Sequence, residues 1–174
     1  MIVESEHTEV AVIDYIDALF GYAMVLTRNR SEAEDLVQET CLRAIKAVKH
    51  LRPASNTKGW LMTILRNIWL NQLRKQRRTA TFDIDVSGIS AADTIPEPSK
   101  DPHATYASKI EREMVRETIR QLPAKFQEVI LLREYEDLSY KEIADVLDCP
   151  VGTVMSRLAR ARSKLRTLLL ITTQ

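Results

Sequence analysis

In the first half of this 174-residue chain, apolar residues recur at intervals of three and four, the spacing of one face of an α-helix. Ser31 and Glu34 form a capping-box pattern that is predicted to open the second helix. The segment Leu51 to Lys58 is rich in turn-forming residues and separates the second helix from the third. The pattern therefore predicts three helices: Val10–Leu26, Ser31 to about His50, and Gly59–Arg78.

The helical spacing disappears between Thr79 and about Thr105. This stretch contains Pro96, Pro98 and Pro102, and its acidic residues outnumber its single lysine. Its length exceeds that of an ordinary connection between helices. The pattern predicts an all-α protein made of two small helical domains, a bundle over residues 1–78 and a second domain over 108–174, joined by an acidic flexible linker over 79–107.

The helical spacing returns after the linker, with a capping signal before most of the helices. Ser108 with Glu111 is expected to open a helix that ends at Gln121, and Pro123 suits the first turn of the next helix. Ser139 and Glu142 form a further capping box. The remaining predicted boundaries are a helix from Pro123 to about Glu136, a helix over Tyr140–Leu147, a turn over Asp148–Pro150, and a helix from Val151 to about Leu170.

Two short helices joined by a turn of three or four residues, the second of them basic, are typical of a helix-turn-helix. The apolar positions support this interpretation, because each helix has one apolar face and the preceding helix offers a platform. The predicted inner faces are Ile143, Ala144 and Leu147 on the first helix and Val151, Val154 and Leu158 on the second, with Phe126, Val129, Ile130 and Leu132 as the platform.

The polar residues of the last helix suit the major groove of duplex DNA. Arg160 is suited to pairing with guanine, Met155 or Ala159 to contacting a thymine methyl group, and Ser156 tolerates several bases. Basic and hydroxyl side chains beside them suit phosphates, which position the protein without reading sequence. The predicted phosphate contacts are Thr153, Arg157, Arg162 and Lys164. A helical hairpin that packs only on protein is the alternative.

The helix Gly59–Arg78 carries a polar stripe at helical spacing. Asparagine is a poor residue for a helix interior, so two asparagines on one face suggest a binding role. The stripe consists of Thr63, Arg66, Asn67, Asn71, Arg74 and Arg78. Trp60 and Trp69 are candidates for stacking on bases, although an aromatic residue on an apolar helix face more often belongs to the core.

The formal net charge of +1 conceals two basic stretches that contain no acid, Arg66–Arg78 and Gly152–Gln174. They fit two contacts with a polyanion, or two solvated helix ends that complement the helix dipole. Cys41 and Cys149 are far apart, and neither lies near a second cysteine or a histidine at ligand spacing. Both are expected to be small buried residues, so no metal site and no cofactor is predicted.

Several classes of protein are disfavoured by the sequence. No glycine-rich phosphate loop, no paired cysteine–histidine set and no serine–histidine–aspartate arrangement is visible, so neither an enzyme nor a small-molecule substrate is expected. The apolar stretch Leu168–Ile171 is too short to cross a bilayer, and Glu4, Glu6 and Glu9 do not suit a secretion signal. A cytoplasmic protein without membrane insertion is expected.

Three motifs, in this order and spacing, resemble the bacterial RNA polymerase sigma factors of the extracytoplasmic-function group. The resemblance covers nearly the whole chain, and the acidic linker separates the last motif from the others. The motifs are DLVQET over 35–40; Trp60-Leu61 with Arg66-Asn67 and NQLR over 71–74; and GTVMSRL over 152–158.

The resemblance implies a factor that binds core RNA polymerase and directs it to promoter DNA. It implies that Asp35, Gln38 and Glu39 contact the polymerase clamp helices. The C-terminal helix-turn-helix would read the −35 element, and the linker would follow the path toward the polymerase active site. The implied residues for capturing and melting the −10 element are Pro53, Ser55, Asn56, Thr57, Lys58, Trp60, Thr63, Asn67, Asn71, Arg74 and Arg78.

The chain departs from the family pattern at three positions. Asn71 stands where the family often has aspartate, Asp148 replaces a frequent turn glycine, and Met155 replaces a basic residue.

A separate anti-sigma protein is expected to control the factor. The alternatives are a conventional helix-turn-helix regulator that binds a palindrome as a dimer, and a helical interaction module that does not contact DNA.

Overall fold

The computed structural model of the chain describes residues 12–47, 56–80 and 106–172, without the side chains of 79–80, 106–112 and 172. These described ranges contain helices and turns and no strand, so the predicted all-α class is confirmed. The chain divides into two compact units, residues 1–96 and 97–174. Most of the predicted linker, residues 81–105, lies outside the described residues, as do Pro53 and Ser55.

Three helices form the described part of the first unit. The predicted continuous helix from Val10 is wrong, because residues 14–15 form a turn in which the Tyr15 N–H donates to the Val12 carbonyl at 3.2 Å. A new helix begins after this turn. It ends at Arg28, which adopts the left-handed conformation with φ of 54° and donates its N–H to Met24. The three helices are α1 (Ile16–Thr27), α2 (Arg30–Ala47) and α3 (Thr57–Ala80).

The two remaining helix starts in this unit are capped by asparagines that were not among the predicted caps. Asn29 Oδ1 accepts the Glu32 N–H at 3.1 Å, so α2 begins before Ser31 and the predicted capping box at Ser31 is wrong. Asn56 Oδ1 accepts the Gly59 N–H at 3.2 Å in the same way. Asparagine is among the strongest N-cap residues. Thr57 and Lys58 therefore lie in the first turn of α3 rather than in a loop.

The core of the first unit lies between the three helices. Small residues such as Ala33 and Ala44 are fully buried on α2, which allows the helices to approach closely. The larger core side chains come from all three helices, and on α3 the apolar residues Leu61, Leu65 and Ile68 are buried. Met62 of α3 is fully buried as well.

The described part of the second unit contains four helices and one π-helical turn. The helix predicted to start at a capping box on Ser108 begins two residues earlier, so that box is wrong. The helix predicted to run from Pro123 to Glu136 changes to a π-helical turn at Leu131, where the Glu136 N–H donates to the Leu131 carbonyl at 3.1 Å. The elements are α4 (Tyr106–Arg120), α5 (Ala124–Ile130), the π turn (Leu131–Tyr135), α6 (Tyr140–Leu147) and α7 (Val151–Thr172).

A buried glutamine fixes the corner between α4 and α5. Gln127 Nε2 donates to the carbonyls of Arg120 and Leu122, both at 2.7 Å. These carbonyls lie at the end of α4, where helical partners run out. Since α5 supplies the platform residues Phe126, Val129 and Ile130, all buried, this corner sets the position of the platform beneath α6 and α7.

Candidate nucleic-acid interfaces

The helices α6 and α7 form the predicted helix-turn-helix. The predicted capping box is confirmed, because Ser139 Oγ accepts the Glu142 N–H at 3.3 Å and Glu142 Oε2 accepts the Ser139 N–H at 2.7 Å. In the turn, Asp148 adopts the left-handed conformation with φ of 49°. The Cys149 N–H donates to the Ala144 carbonyl at 3.1 Å. These bonds fix the angle at which α7 leaves α6.

We expect Asp148→Gly to raise the free energy of unfolding of the chain by up to about 1 kcal/mol, because the left-handed conformation strains a residue that has a Cβ. Urea denaturation of the full chain measures this change. Asp145→Gly, inside α6, is the matched control and should lower the free energy of unfolding. A loss of stability in Asp148→Gly would show that the aspartate side chain stabilises the turn by more than the strain it causes.

The inner faces of the helix-turn-helix agree with the sequence prediction at all but one position. Ile143, Ala144, Leu147, Val154 and Leu158 are buried, as are the platform residues. Val151 was also predicted to face inward, and this is wrong, since the side chain is 40% exposed. It is the first residue of α7 and lies on the side of Met155, while the buried face continues through Val154, Leu158 and Ala161.

The outer surface of α7 carries most of the residues predicted to contact DNA. Ser156 Oγ donates to the Thr153 carbonyl at 3.0 Å, which holds the hydroxyl close to the helix backbone. Thr153 and Arg157 are half-buried. The exposed members of the predicted set are Met155, Ser156, Ala159, Arg160, Arg162 and Lys164. The helix therefore presents an outward surface on which positive charge surrounds small and apolar side chains.

Arg162 differs from the other basic residues of this predicted set because it forms an ion pair with an acid of the same unit. Its Nη2 lies 2.6 Å and its Nε 3.2 Å from Oε1 of Glu134, in the π turn. The hydrogen bond that Arg162 donates to this carboxylate raises the pKa of Arg162 above its ordinary value. Beside it, Arg133 donates to the Leu138 carbonyl at 2.8 Å and lies over the Tyr140 ring. We call the Glu134–Arg162 pair the strut, since it joins the π turn to the middle of α7.

The polar stripe of α3 is present on one side of the helix. Trp60, Asn67, Asn71, Arg74 and Arg78 are separated by seven, four, three and four residues, so they share a face, and we call these five residues the α3 stripe. Trp60 is half-exposed and the other four are exposed. Arg74 Nη1 donates to Asn71 Oδ1 at 3.0 Å, which directs the Asn71 amide NH₂ away from Arg74.

Most of the other residues predicted to contact DNA on this helix lie closer to the core. Thr63 Oγ1 donates to the Gly59 carbonyl at 2.9 Å and is half-buried, and Arg66 and Trp69 are half-buried as well. Asn56 is exposed, with its side-chain oxygen used as the N-cap of α3. These residues belong to the same helix as the stripe. They lie at the N-terminal end of the helix or along the edge of the stripe.

The acidic motif of α2 lies on the outer face of that helix. Asp35 and Gln38 are exposed, and Glu39 forms an ion pair with Arg43 at 2.7 Å. Two apolar side chains on the same face, Leu42 and Ile45, are 56% and 41% exposed. They were not among the predicted site residues. Leu42 lies four residues after Gln38 and Ile45 lies three residues after Leu42, so both continue the helical face that carries Asp35 and Gln38.

The described residues contain no cluster of histidine, cysteine and carboxylate side chains that would suit a metal ion. Within the same ranges, no helix has the length and apolar character needed to cross a membrane. Cys41 and Cys149 are free thiols, and each is half-buried, whereas both were predicted to be buried. Burial raises the pKa of the Cys41 thiol.

Two family models match this chain: "Sigma-70 region 2" over residues 12–79 and "Sigma-70, region 4" over residues 112–165. The ECF RNA polymerase sigma factor EcfG of Rhodopseudomonas palustris is 36% identical over 92% of this chain and 83% of its own. The ECF RNA polymerase sigma-E factor of Haemophilus influenzae is 37% identical over 80% and 77%. The chain belongs to the sigma-70 family and is a sigma factor of the ECF group.

A solved structure supports the same assignment. The sigma factor RpoE from Bartonella quintana, in complex with the anti-sigma factor NepR, has a TM-score of 0.71 and 29% identity, covering 92% of this chain and 95% of its own. As a sigma factor, the chain binds core RNA polymerase and directs promoter-specific initiation of transcription. Region 2 falls within the first helical unit and region 4 within the second, so each unit carries one of the two regions.

Proposed function

We propose that the two units divide promoter recognition, with α3 holding the melted −10 element and α7 reading the −35 element as duplex. The observation that carries this proposal is that each unit contains one helix whose exposed surface is basic. The two surfaces differ in character. The α3 stripe combines an aromatic ring and amides with arginines, whereas the α7 surface combines small side chains with arginines.

The α3 stripe has the composition that single-stranded DNA requires. From Trp60 to Arg78 it spans about 27 Å of helix at 1.5 Å per residue. An aromatic ring stacks on an unpaired base, and arginines neutralise the backbone. Asn71 presents its NH₂ group as a donor because Arg74 occupies its oxygen. Strand opening then needs binding energy rather than catalysis, since an unpaired base costs a few kcal/mol.

The α7 surface suits a major groove in which Arg160 pairs with guanine while Thr153, Arg157 and Lys164 contact phosphates. The main role proposed for Arg162 is its ion pair with Glu134, the strut. Its Nη2 donates to Glu134 Oε1 at 2.6 Å, so the guanidinium is held by a carboxylate of the same unit. Glu134 therefore keeps this arginine at the edge of the interface.

We expect Glu134→Gln to release Arg162 toward a DNA phosphate and to steepen the salt dependence of promoter binding. The slope of log affinity against log salt concentration should increase by about one, the value for one additional phosphate contact. Fluorescence anisotropy of the holoenzyme on a promoter fragment, at salt concentrations between about 50 and 200 mM, measures this slope. Asp145→Asn removes the same charge from exposed α6 and should leave the slope unchanged. Equal slopes for wild type and Glu134→Gln would argue against the strut.

The outer face of α2 is proposed to contact core polymerase through Asp35, Gln38 and Glu39. Leu42 and Ile45 extend this surface, because exposed apolar side chains beside polar ones are typical of a protein interface. The chain is proposed to supply recognition and strand separation, with the chemistry of transcription left to the polymerase. It is proposed to work in the cytoplasm, where bacterial polymerase and genomic DNA are found.

An anti-sigma protein is proposed as a further partner. The similar RpoE of Bartonella quintana was solved in complex with the anti-sigma factor NepR. A second similar structure, CnrH in complex with the cytosolic domain of CnrY, has a TM-score of 0.57 and 26% identity. Because this chain is similar to RpoE over 92% of its length, a comparable partner is proposed to hold it inactive until it is released.

Run-off transcription with purified core polymerase on a genomic library tests the proposed function. The chain is expected to produce transcripts that share two upstream elements, and core polymerase alone should not. Asn71→Ala with Arg74→Ala should retain −35 binding but lose open complexes, as measured by permanganate reactivity of unpaired thymines. Transcripts without a shared pair of elements would contradict the proposal.

A further inference from the structure

A buried amide side chain holds the corner at which α4 turns into α5. Gln127 is 4% exposed, and its Nε2 donates to the carbonyls of Arg120 and Leu122, both at 2.7 Å. Both N–H groups of the amide are therefore used, each on a carbonyl at the end of α4, where helical partners run out. Pro123 precedes α5 and has no side chain that could cap that helix. We call residues 120–123 together with Gln127 the α4–α5 corner.

The two hydrogen bonds make the α4–α5 corner stiff. A change in the angle between α4 and α5 lengthens at least one of them, and a buried carbonyl without a donor is costly. Packing opposes the same motion, because Leu122 and Phe126, one on each side of Pro123, are 2% and 5% exposed. The corner therefore resists bending, unlike an ordinary surface loop.

The α4–α5 corner fixes the recognition helix relative to the helix by which the chain enters the second unit. The helix α4 follows the predicted linker, and α4 and α5 both pack against α7. The platform residues Phe126, Val129 and Ile130 also belong to α5. A change of angle at the corner would shift α7 relative to α4 and leave the exposed surface of α7 unaltered.

Such a shift matters to a protein that binds two DNA elements at once. In the proposed function the first unit holds the −10 element while α7 reads the −35 element, so the position of α7 must match the spacer between them. Each added base pair moves the −35 element by about 3.4 Å and rotates it by about 35° around the DNA axis. A stiff corner penalises a spacer of the wrong length, whereas a loose corner lets α7 follow the displaced element.

We infer that the α4–α5 corner, locked by Gln127, sets the spacer length that the holoenzyme accepts between the −35 and −10 elements. Gln127 is a positioning residue, since it is buried and acts through the carbonyls of Arg120 and Leu122. The inference rests on the proposed function, because it needs both units to bind the promoter. It goes further by assigning spacer selectivity to residues outside both DNA-binding surfaces.

Promoter fragments from the run-off experiment, with the spacer shortened or lengthened by one base pair, test the inference. Anisotropy titrations of the holoenzyme give the spacer ratio, which is the affinity for the original spacer divided by the affinity for a changed one. Gln127→Met keeps the length of the side chain and removes both donors. It should reduce the spacer ratio by about five-fold or more, the effect of one lost base contact. A purely structural role for Gln127 predicts equally weakened binding to all spacers and an unchanged ratio.

Ile119→Ala is the matched control, because it removes a buried side chain from α4 and lowers stability but leaves the corner hydrogen bonds in place. It should keep the wild-type spacer ratio. Pro123→Gly is a second corner variant, which frees the backbone at an exposed position without removing a buried group. It should reduce the ratio as Gln127→Met does, so the test does not depend on the folding of one variant. Circular dichroism identifies the variants that fold.

An unchanged spacer ratio in every corner variant that folds would overturn the inference and leave the proposed function intact. An equal reduction in Ile119→Ala would do the same, as would a wild-type holoenzyme that binds all spacers equally well. A wild-type holoenzyme whose affinity does not depend on the −35 sequence at any spacer length would overturn the proposed function and the inference together.

Discussion

Arg160→Ala is expected to lower the affinity of the holoenzyme for its promoter by about 5- to 150-fold, because a bidentate contact to a base is worth about 1–3 kcal/mol of discrimination. Arg160 is exposed on the outward side of α7, within the helix half that reaches bases. The variant should lose its discrimination between bases at one base pair of the −35 element. Fragments substituted at that pair should bind the variant as well as the original fragment does.

Anisotropy titrations of the holoenzyme against fragments substituted at each −35 position measure this effect. Arg166→Ala removes the same charge from an exposed site further along α7 and should weaken all fragments slightly and equally. If Arg160→Ala kept the wild-type preference at every position, Arg160 would be a phosphate contact and not a reader of sequence.

Asp35→Lys combined with Gln38→Ala is expected to lower the affinity of the chain for core polymerase by about 30-fold or more. The loss of a buried polar contact at an interface costs about 2–5 kcal/mol. Both side chains are exposed on α2, so the helical fold should survive the change. Fluorescence titration of the labelled chain with core polymerase measures the affinity, and circular dichroism checks the helix content.

Asp17→Lys is the matched control, because Asp17 is an exposed acid on α1 of the same unit. It should bind core polymerase like the wild type. Equal losses of affinity in both variants would indicate that the overall charge of the unit governs binding. Unchanged affinity in both variants would show that α2 is not part of the surface that binds core polymerase.

The helix-turn-helix could be predicted closely from local signals. The boundaries of α6 and the capping box at Ser139 each follow from a few adjacent residues, and both are confirmed. The buried residues Ile143, Val154 and Leu158 follow from helical spacing. Val151 has the same spacing but lies at the end of its helix, beyond the partners that would cover it.

The start of α2 could not be predicted correctly from the sequence. Both Asn29 with Glu32 and Ser31 with Glu34 fit a capping pattern, and the sequence does not rank them. The choice follows from Arg28, whose left-handed conformation ends α1 and lets the next helix begin two residues later. This conformation has no local sequence signal, because arginine is not a residue that favours it.

The strut between Glu134 and Arg162 is the clearest case of a contact that local reasoning misses. The two residues are 28 positions apart and meet only because the π turn brings the carboxylate to the middle of α7. From sequence alone, Arg162 was indistinguishable from the other arginines of that helix. Its partner changes the proposed role from a phosphate contact to a support for the recognition helix.

The central claim is that this chain recognises promoters as part of a holoenzyme rather than alone. An electrophoretic mobility shift with a labelled promoter fragment tests it, with the chain alone, core polymerase alone and the two combined. A promoter-specific complex is predicted only for the combination, with weak and unspecific binding by the isolated chain. Tight binding of the chain alone, as a dimer on a palindromic site, would contradict the account and identify a conventional helix-turn-helix regulator.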